Sequence, residues 1–324
     1  MTDRLDAVAI GNAIVDVVAR VDDPFLAANG VEKGVMTLID QERALSLYDA
    51  MPPAEEISGG SAANTAAGMA ALGCSAGFIG RVKQDQLGQI FSHDIRAIGV
   101  EYQGPQAADG PETSRCLVAV SPDGERSMST FLGASIGLVA DDINVDMLGR
   151  AKWLYLEGYL FDTPEAKAAY SRAIWATKKA GGKTSITLSD PFCVDRHRDD
   201  FRRLIKNEID LLFANKAELL SLCKASDLEY ALDVIAEDVE VAAITLSEQG
   251  SVIVRGRDRT WVPAQKVDVL DTTGAGDLFA AGFLSGLAQG VDDAQAARMG
   301  AIAAGEVISH LGARPEADLK ALMA

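Results

Sequence analysis

Residues 271–277, with the sequence DTTGAGD, form the stretch of this chain best suited to phosphate chemistry. Gly274 and Gly276 flank Ala275, and glycines let a backbone approach a ligand closely. The apolar residues that follow predict a helix, whose N-terminal amides carry the partial positive charge that suits a phosphate. Asp277 would lie in the first turn, where its carboxylate can take a proton from an incoming hydroxyl. The structural alternative is a simple turn with Asp277 facing the helix dipole.

A second glycine-rich element, residues 58–73, reads SGGSAANTAAGMAALG. Its alanine-rich part favours a helix, and Gly59 and Gly60 come directly before that helix. Close backbone approach to a ligand is one interpretation of the pair. The alternative is an ordinary turn before a helix that Ser61 caps.

Asp16 is a charged residue in the otherwise apolar stretch GNAIVDVVA, residues 11–19. Strand alternation puts Asn12 and Asp16 on the same face. A carboxylate there is costly unless it is solvated or hydrogen-bonded, and the vicinal hydroxyls of a ribose would supply two donors. A solvent-facing position on a one-sided sheet is the alternative.

Strand-like and helix-like stretches alternate from about residue 153 onward, which predicts a mostly parallel sheet covered by helices. The predicted strands are 7–21 (one or two strands), 116–120, 153–156, 184–189, 210–214, 241–246 and 252–254. The predicted helices are 164–180, 199–206, 216–223 and 228–237, followed by two helices within 274–311 that break near Gly290.

Residues 12–39 and 103–131 fit this alternation poorly, because they have few helical signals. We expect them to form a small accessory β-sheet made from two separate pieces. Arg126 is interpreted as an exposed hairpin residue, and reach toward a transferred phosphate is the alternative. Because no repeat or linker-like tract interrupts the sequence, residues 1–324 are interpreted as one domain.

The composition is that of a globular protein, with 48% hydrophobic and 24% charged residues. A formal net charge of −17 disfavours nucleic acid and anionic membranes as partners. The sequence shows no signal-peptide pattern and no apolar run of membrane-spanning length. Its four cysteines are widely separated, as in reduced cytosolic proteins. A cytoplasmic location is therefore expected.

The two glycine-rich elements together carry a resemblance to a known family. DTTGAGDLFAAGFLSGL resembles the C-terminal signature of the ribokinase-like (PfkB) carbohydrate and nucleoside kinases, and SGGSAANTAAGMAALG resembles their N-terminal glycine-pair motif. The resemblance implies an α/β fold: a doubly wound, three-layer α/β/α domain with a mostly parallel sheet and a small β-sheet lid. The lid would be formed by residues 12–39 and 103–131.

The resemblance also implies roles for the residues of both elements. Asp277 would be the general base that activates the acceptor alcohol, and the amides of Ala275, Gly276 and Asp277 would form the anion hole that begins at Gly274. The implied substrate-binding set consists of Asn12, Asp16, Gly59, Gly60, Ser61 and Asn64.

ATP and Mg²⁺ are the implied cosubstrate and cofactor. The family uses an N-x-x-E element, here Asn215 and Glu218, to organise water around Mg²⁺. The two residues share a helix face, but the same spacing is also that of a helix capping box.

Nucleotide contacts and a second ion are implied further along the chain. Thr245, Ser247 and Gly250 match a nucleotide-contacting turn, in which relatives commonly have glycine where this chain has Ser247. Asp271 and Thr273 match positions that help to hold a monovalent cation, such as K⁺, in many relatives.

Four stretches are similar to adenosine kinases, namely GNAIVDVVARVDDPFLAANGV, YLEGYLF, LSDPFCVDRHRDDF and DLLFANKAEL. Adenosine, phosphorylated at its 5′-hydroxyl, is therefore the expected acceptor, with lid residues 35–38 and 131–136 beside the purine. A sugar kinase acting on ribose, fructose or a keto-deoxy sugar acid is the alternative, and a non-catalytic nucleoside-binding protein is the second. Either a monomer or a lid-mediated homodimer is expected.

Overall fold

The computed structural model of the chain describes residues 4–323. Nine strands form a large sheet in the order β16-β15-β14-β13-β12-β11-β1-β5-β7, and five form a small sheet in the order β3-β10-β9-β2-β4. The strands are β1 Leu5–Ile10, β2 Ile14–Arg20, β3 Met36–Leu38, β4 Glu55–Gly59, β5 Ala76–Ile79, β6 Val82–Lys83, β7 Glu101–Tyr102, β8 Gln106–Ala107, β9 Ser114–Val120, β10 Arg126–Phe131, β11 Ala151–Glu157, β12 Lys183–Thr187, β13 Leu211–Asn215, β14 Val241–Thr245, β15 Ser251–Arg255 and β16 Asp258–Val262.

Helices connect most of the parallel strands. They are α1 Asp23–Ala28, α2 Gln41–Ala50, α3 Ser61–Ala71, α4 Gln86–Ala97, α5 Val145–Leu148, α6 Pro164–Lys179, α7 Pro191–Glu208, α8 Lys216–Cys223, α9 Leu228–Asp238, α10 Ala275–Gln289, α11 Asp293–Val307 and α12 Leu319–Leu322. Short 3-10 helices span Gly133–Gly137, Ala140–Asp142, Gly158–Asp162 and Ser247–Gln249. None of the helices within residues 4–323 combines the length and apolar character needed to span a membrane.

The large sheet is mostly parallel and is buried on both faces. β14, β15 and β16 pair antiparallel at one edge, whereas the remaining pairs are parallel. Successive β1 residues point to opposite faces: Ile10 belongs to a core cluster with Tyr170 of α6, and Ala9 to a second cluster with Leu278 of α10. Helices on both faces give the three-layer α/β/α architecture that the sequence predicts.

The small sheet draws on more of the chain than expected. Strands β2, β3, β9 and β10 lie within residues 12–39 and 103–131, but β4, Glu55–Gly59, lies outside both segments and pairs antiparallel with β2. The expectation of few helices in residues 12–39 is wrong at α1, whose start carries the Asp22 cap and a proline in its first turn.

Because most strands of the large sheet are parallel, their carboxyl ends lie at one edge of the sheet. β1 runs toward Asn12, β11 ends at Glu157, β13 at Asn215 and β14 at Thr245. The predicted residues Asn12, Asn215 and Thr245 therefore lie at this edge, together with Glu157.

Candidate active site

Helix α10 begins where the sequence predicts. Gly274 is its N-cap with φ of 80°, and a Cβ at this position would lie 2.9 Å from the Cα of Ala313, so glycine is required. The amide of Ala275 donates to the carbonyl of Thr272 at 3.2 Å. The amides of Gly276 and Asp277 have no acceptor among residues 4–323. Of the three amides predicted to form the anion hole, two therefore have no hydrogen-bond acceptor among the described residues, and the third is bonded to Thr272.

The two glycine-rich elements meet at the carboxylate of Asp277. Ser61 donates from Oγ to Oδ1 at 2.7 Å, Asn64 donates from Nδ2 to Oδ2 at 2.9 Å, and Thr65 bonds the Asp277 carbonyl at 3.2 Å. Desolvation raises the pKa of Asp277, and the bonds from Ser61 and Asn64 oppose that rise. Ser61 does not cap α3: the N-cap is Gly60, without a side-chain cap, so the capping interpretation is wrong.

The glycine pair lies directly against the predicted acceptor residues. A Cβ on Gly59 would lie 2.4 Å from Oδ2 of Asp16, and one on Gly60, whose φ is 101°, would lie 2.2 Å from the carbonyl oxygen of Asn12. Desolvation raises the pKa of Asp16 to about 6, although Arg126 and Arg314 act to lower it. A larger residue at either glycine would displace Asp16 or the backbone of Asn12.

Glu157 is a buried carboxylate that sequence analysis missed. Its Oε1 accepts the Asn12 amide at 3.3 Å and Asn12 Nδ2 at 2.6 Å, while Oε2 accepts the Ala62 amide at 2.9 Å. Ser135 donates to Asn12 Oδ1 at 2.7 Å, so both ends of the Asn12 amide are held. Desolvation raises the pKa of Glu157 to about 7. The signal that could have found it is the one used for Asp16, a lone charge in an apolar strand.

Arg314 was also missed, and no local pattern marks it. It lies in the loop after α11 and donates to the carbonyls of Ala63 at 2.9 Å and Ser58 at 2.6 Å. These partners flank the glycine pair. A side chain from the C-terminal end of the chain thus reaches the acceptor side of the site.

Asn215 and Glu218 form a complete capping box at the start of α8. The Asn215 amide donates to Glu218 Oε2 at 3.0 Å, its Nδ2 donates to Oε1 at 2.6 Å, and the Glu218 amide donates back to Asn215 Oδ1 at 2.9 Å. Glu218 is buried, and desolvation raises its pKa to about 7, with Asp190 adding to the rise. Within residues 4–323 no three His, Cys, Asp or Glu side chains come together as a metal cluster.

The predicted nucleotide turn follows β14. Thr245 is the last residue of that strand and is paired with Asn215 in the register, so the turn adjoins the capping box. Ser247 has φ of 53°, in the left-handed region that favours glycine. Gly250 has φ of 91°, and its Cβ would lie 2.1 Å from the carbonyl oxygen of Val262. The loop therefore keeps a left-handed conformation at Ser247 without the glycine common in relatives.

Asp271 lies at the junction between the small sheet and the anion-hole loop. Its Oδ1 accepts the amide (2.9 Å) and hydroxyl (2.6 Å) of Thr273, and its Oδ2 accepts the Gly312 amide at 3.0 Å and Arg126 Nη1 at 2.9 Å. The Arg126 and Asp271 side chains are only 10% and 7% exposed. The prediction of an exposed hairpin arginine is therefore wrong, and both carboxylate oxygens of Asp271 are engaged by protein donors.

Known proteins of one family are similar to most of this chain. The family described as "pfkB family carbohydrate kinase" matches residues 41–319. A fructokinase from Klebsiella pneumoniae is 29% identical over 86% of this chain and 94% of its own length.

Two solved structures are similar over almost the whole chain. A probable sugar kinase from Rhizobium etli CFN 42 is 49% identical, with a TM-score of 0.90, covering 99% of this chain and 98% of that one. An adenosine kinase from Sinorhizobium meliloti is 48% identical, with a TM-score of 0.90, covering 98% of each chain. The chain belongs to the pfkB family, close to its adenosine kinase branch, and is a phosphotransferase with an alcohol group as acceptor.

Proposed function

We propose that this protein transfers the γ-phosphate of ATP to a primary hydroxyl of a nucleoside, with the 5′-hydroxyl of adenosine as the favoured acceptor. The observation that carries the proposal is the contact of Asp277 with Ser61 and Asn64 beside two unpaired helix-terminal amides. It supports the proposal because the carboxylate that would act as base, the helix terminus that would bind the anion and the element that would contact the acceptor lie next to one another. The similarity to the adenosine kinase of S. meliloti supports the nucleoside as acceptor.

The acceptor side suits a ribose. Asp16 is a carboxylate whose burial is costly, and two vicinal hydroxyls would donate to it. Oδ1 of Asn64 is buried without a hydrogen-bond partner among the described residues, so it too can accept from a hydroxyl. Gly59 lies against the Asp16 carboxylate, where a Cβ would come within 2.4 Å of Oδ2. Asn12, which is held by Glu157 and Ser135, and Ser61, which is bonded to Asp277, would complete this set.

The small sheet offers apolar surface for a purine. Val35, Met36 and Leu38 are exposed around β3, and Ile136 is exposed after β10. An aromatic base beside the ribose requires such an apolar slot. Closing the small sheet over the acceptor would cover these side chains and exclude water, which limits hydrolysis of ATP.

Asp277 acts as the general base in the proposed reaction. It removes the proton from the acceptor hydroxyl while the hydroxyl oxygen attacks the γ-phosphate in line with the leaving group. The Gly276 and Asp277 amides receive the negative charge that develops on the transferred group. Ser61 and Asn64 hold the carboxylate in the orientation needed for this transfer.

Asn215 and Glu218 would hold a hydrated magnesium ion through water, as the family pattern implies. Both carboxylate oxygens of Glu218 also accept hydrogen bonds from Asn215. Burial raises the pKa of Glu218 to about 7, and a nearby cation would favour its ionised form. Mg²⁺, when bound with ATP, neutralises phosphate charge. Thr245, Ser247 and Gly250 would contact the nucleotide. The Asp271 carboxylate already accepts hydrogen bonds from protein donors. It therefore has less capacity to bind a K⁺ ion than the family pattern implies.

The sugar-kinase alternative has its own support, because the R. etli relative is described as a probable sugar kinase and the K. pneumoniae relative is a fructokinase. ADP formation measured with adenosine, other nucleosides, ribose, fructose and a keto-deoxy sugar acid separates the two. We expect the highest kcat/KM with adenosine. A higher kcat/KM with any of the sugars would replace the nucleoside assignment.

A further inference from the structure

The loop that follows α11 contacts the anion hole. The amide of Gly312 donates to Oδ2 of Asp271 at 3.0 Å. Ala313 packs against Gly274, where a Cβ on the glycine would lie 2.9 Å from the Cα of Ala313. These neighbouring residues thus fix the loop against the start of α10, and the side chain of the next residue reaches the glycine-pair element.

That next residue, Arg314, binds the glycine-pair element through its guanidinium. Nη1 donates to the carbonyl of Ala63 at 2.9 Å, and Nη2 donates to the carbonyl of Ser58 at 2.6 Å and to its Oγ at 3.2 Å. Ser58 also donates from its amide and hydroxyl to Oδ2 of Asp94, at 2.8 and 2.6 Å. One side chain therefore spans the residue before the glycine pair and the first turn of α3.

The charge of Arg314 acts on both functional carboxylates. It lowers the pKa of Asp277 and of Asp16 against the larger, opposite effect of desolvation. Burial lowers the pKa of Arg314 itself to about 10, which leaves it charged at neutral pH. Within the described residues it is the one cation that acts on Asp277, whereas Asp16 also faces Arg126. The other titratable groups that interact with Asp277 are Asp16, Tyr155, Glu157 and Tyr159.

We propose that Arg314 is a positioning residue that holds the glycine-pair element beside the start of α10 and places a positive charge near Asp277 and Asp16. The proposal rests on the proposed function, since it takes Asp277 as the base. The anchoring part follows from the bonds to Ser58 and Ala63. The charge part follows because a cation near a carboxylate favours its ionised form, most strongly where water is excluded.

The test compares variants that separate charge from hydrogen bonding. Arg314→Gln and Arg314→Met remove the positive charge. Arg314→Lys keeps the charge but lacks the guanidinium group, whose separate N–H donors bind the two carbonyls. Arg172→Met is the matched control, because it removes the same charge from an exposed ion pair with Asp141. For each variant, kcat/KM for the acceptor is measured from pH 5 to pH 9, and folding is checked by circular dichroism.

The neutral variants should move the acid limb of the profile to higher pH by about half a unit or more, because the base then protonates more easily. Arg314→Lys should keep the wild-type limb with a raised KM for the acceptor, and Arg172→Met should match wild type. If Arg314 only stabilised the local structure, its neutral variants would lose kcat/KM by the same factor at every pH. That uniform loss, or neutral variants that fail to fold while Arg314→Lys folds, would overturn the proposal.

Failure of the proposed function gives a different result. In that case the wild-type protein forms no ADP with any alcohol tested, or Asp277→Asn turns over normally. If wild type is active, Asp277→Asn is inactive and the acid limb does not move in the neutral Arg314 variants, then the role of Arg314 alone is wrong.

Discussion

Ser61 donates its hydroxyl hydrogen to Oδ1 of Asp277 across 2.7 Å, although 216 positions separate the two residues in the chain. Asn64, on the same helix, donates to the other carboxylate oxygen at 2.9 Å. The predicted base is therefore oriented by the element that also faces the predicted acceptor. A shift of the glycine pair would displace Asp277's hydrogen-bond donors and the acceptor residues together.

Ser61→Ala removes one of the two side-chain donors to Asp277. A hydrogen bond to a charged group is worth about 1.5–3 kcal/mol, so we expect kcat/KM to fall roughly 10- to 100-fold. The acid limb should also move to higher pH, because this donor lowers the pKa of Asp277. Steady-state kinetics across pH checks both effects. Ser46→Ala is the control, since Ser46 donates only to the Arg43 carbonyl at an exposed site; equal effects in the two variants would refute the role of Ser61.

Gly59→Ala tests the contact between the glycine pair and Asp16. The added methyl would lie 2.4 Å from Oδ2 of Asp16, so the carboxylate must move. We expect KM for the acceptor to rise at least about tenfold, or roughly 1.4 kcal/mol, with KM for ATP little changed. Gly137→Ala is the control, because the nearest atoms there are 3.7 Å away. An unchanged acceptor KM in Gly59→Ala would remove Asp16 from the acceptor site.

Glu157→Gln tests the buried carboxylate through the pH dependence of stability. The folded pKa of Glu157 is raised from 4.5 to about 7. The folded state therefore keeps a proton that the unfolded chain has lost, and stability falls as pH rises from 4.5 through about 7. We expect Glu157→Gln to lack this loss and to gain about 3 kcal/mol relative to wild type between pH 4.5 and 8.

Urea unfolding at these two pH values measures the change, with the exposed Glu237→Gln as control for the loss of one charge. A constant difference between wild type and Glu157→Gln would show that Glu157 keeps an ordinary pKa. Loss of acceptor binding in the variant is expected as well, because Gln places an amide group against the N–H donors of Asn12 or Ala62.

Asp271→Asn tests the ion pair that joins the small sheet to the anion-hole loop. The change leaves the buried Arg126 without its charge partner, which should cost about 3 kcal/mol of unfolding free energy. Burial favours a higher pKa for Asp271, but Thr273, Gly312 and Arg126 hold it below 3.8. Its stabilisation is therefore present above pH 3.8 and is lost as pH falls further, so the difference between variant and wild type should shrink in acid.

Asp293→Asn is the matched control, because the Arg255–Asp293 pair is more exposed. It should cost less than about 1 kcal/mol. Equal costs for the two variants at pH 7 would show that burial of the Arg126–Asp271 pair has no energetic consequence.

Local sequence patterns predict the helices and strands that carry strong periodicity. Helix α6 is predicted at 164–180 and spans Pro164–Lys179. The predicted break near Gly290 coincides with the end of α10, where Gly290 has a left-handed φ of 80°. Helix α4, Gln86–Ala97, was missed although Asp85 caps it. Strand β4 has no strand-like composition, and its pairing with β2 depends on tertiary contacts that a local pattern does not contain.

The candidate site shows the same limit. Motifs identified the two glycine-rich elements, and the fold brings them into contact. Arg126 was expected to be exposed because its neighbours form a hairpin, but its partner Asp271 lies 145 positions away and buries it. No local sequence pattern identifies Arg314, because it is the path of the loop after α11 that brings this residue beside Ser58.

The most direct test is the turnover of Asp277→Asn under conditions in which wild type forms ADP with its best acceptor. The neutral side chain keeps the size of the carboxylate but cannot take the proton, so kcat should fall about 10²- to 10⁴-fold or more. Calorimetry should show that ATP and acceptor still bind, and the exposed Asp141→Asn should behave as wild type. Turnover of Asp277→Asn within a few-fold of wild type would contradict the assignment of Asp277 as the base.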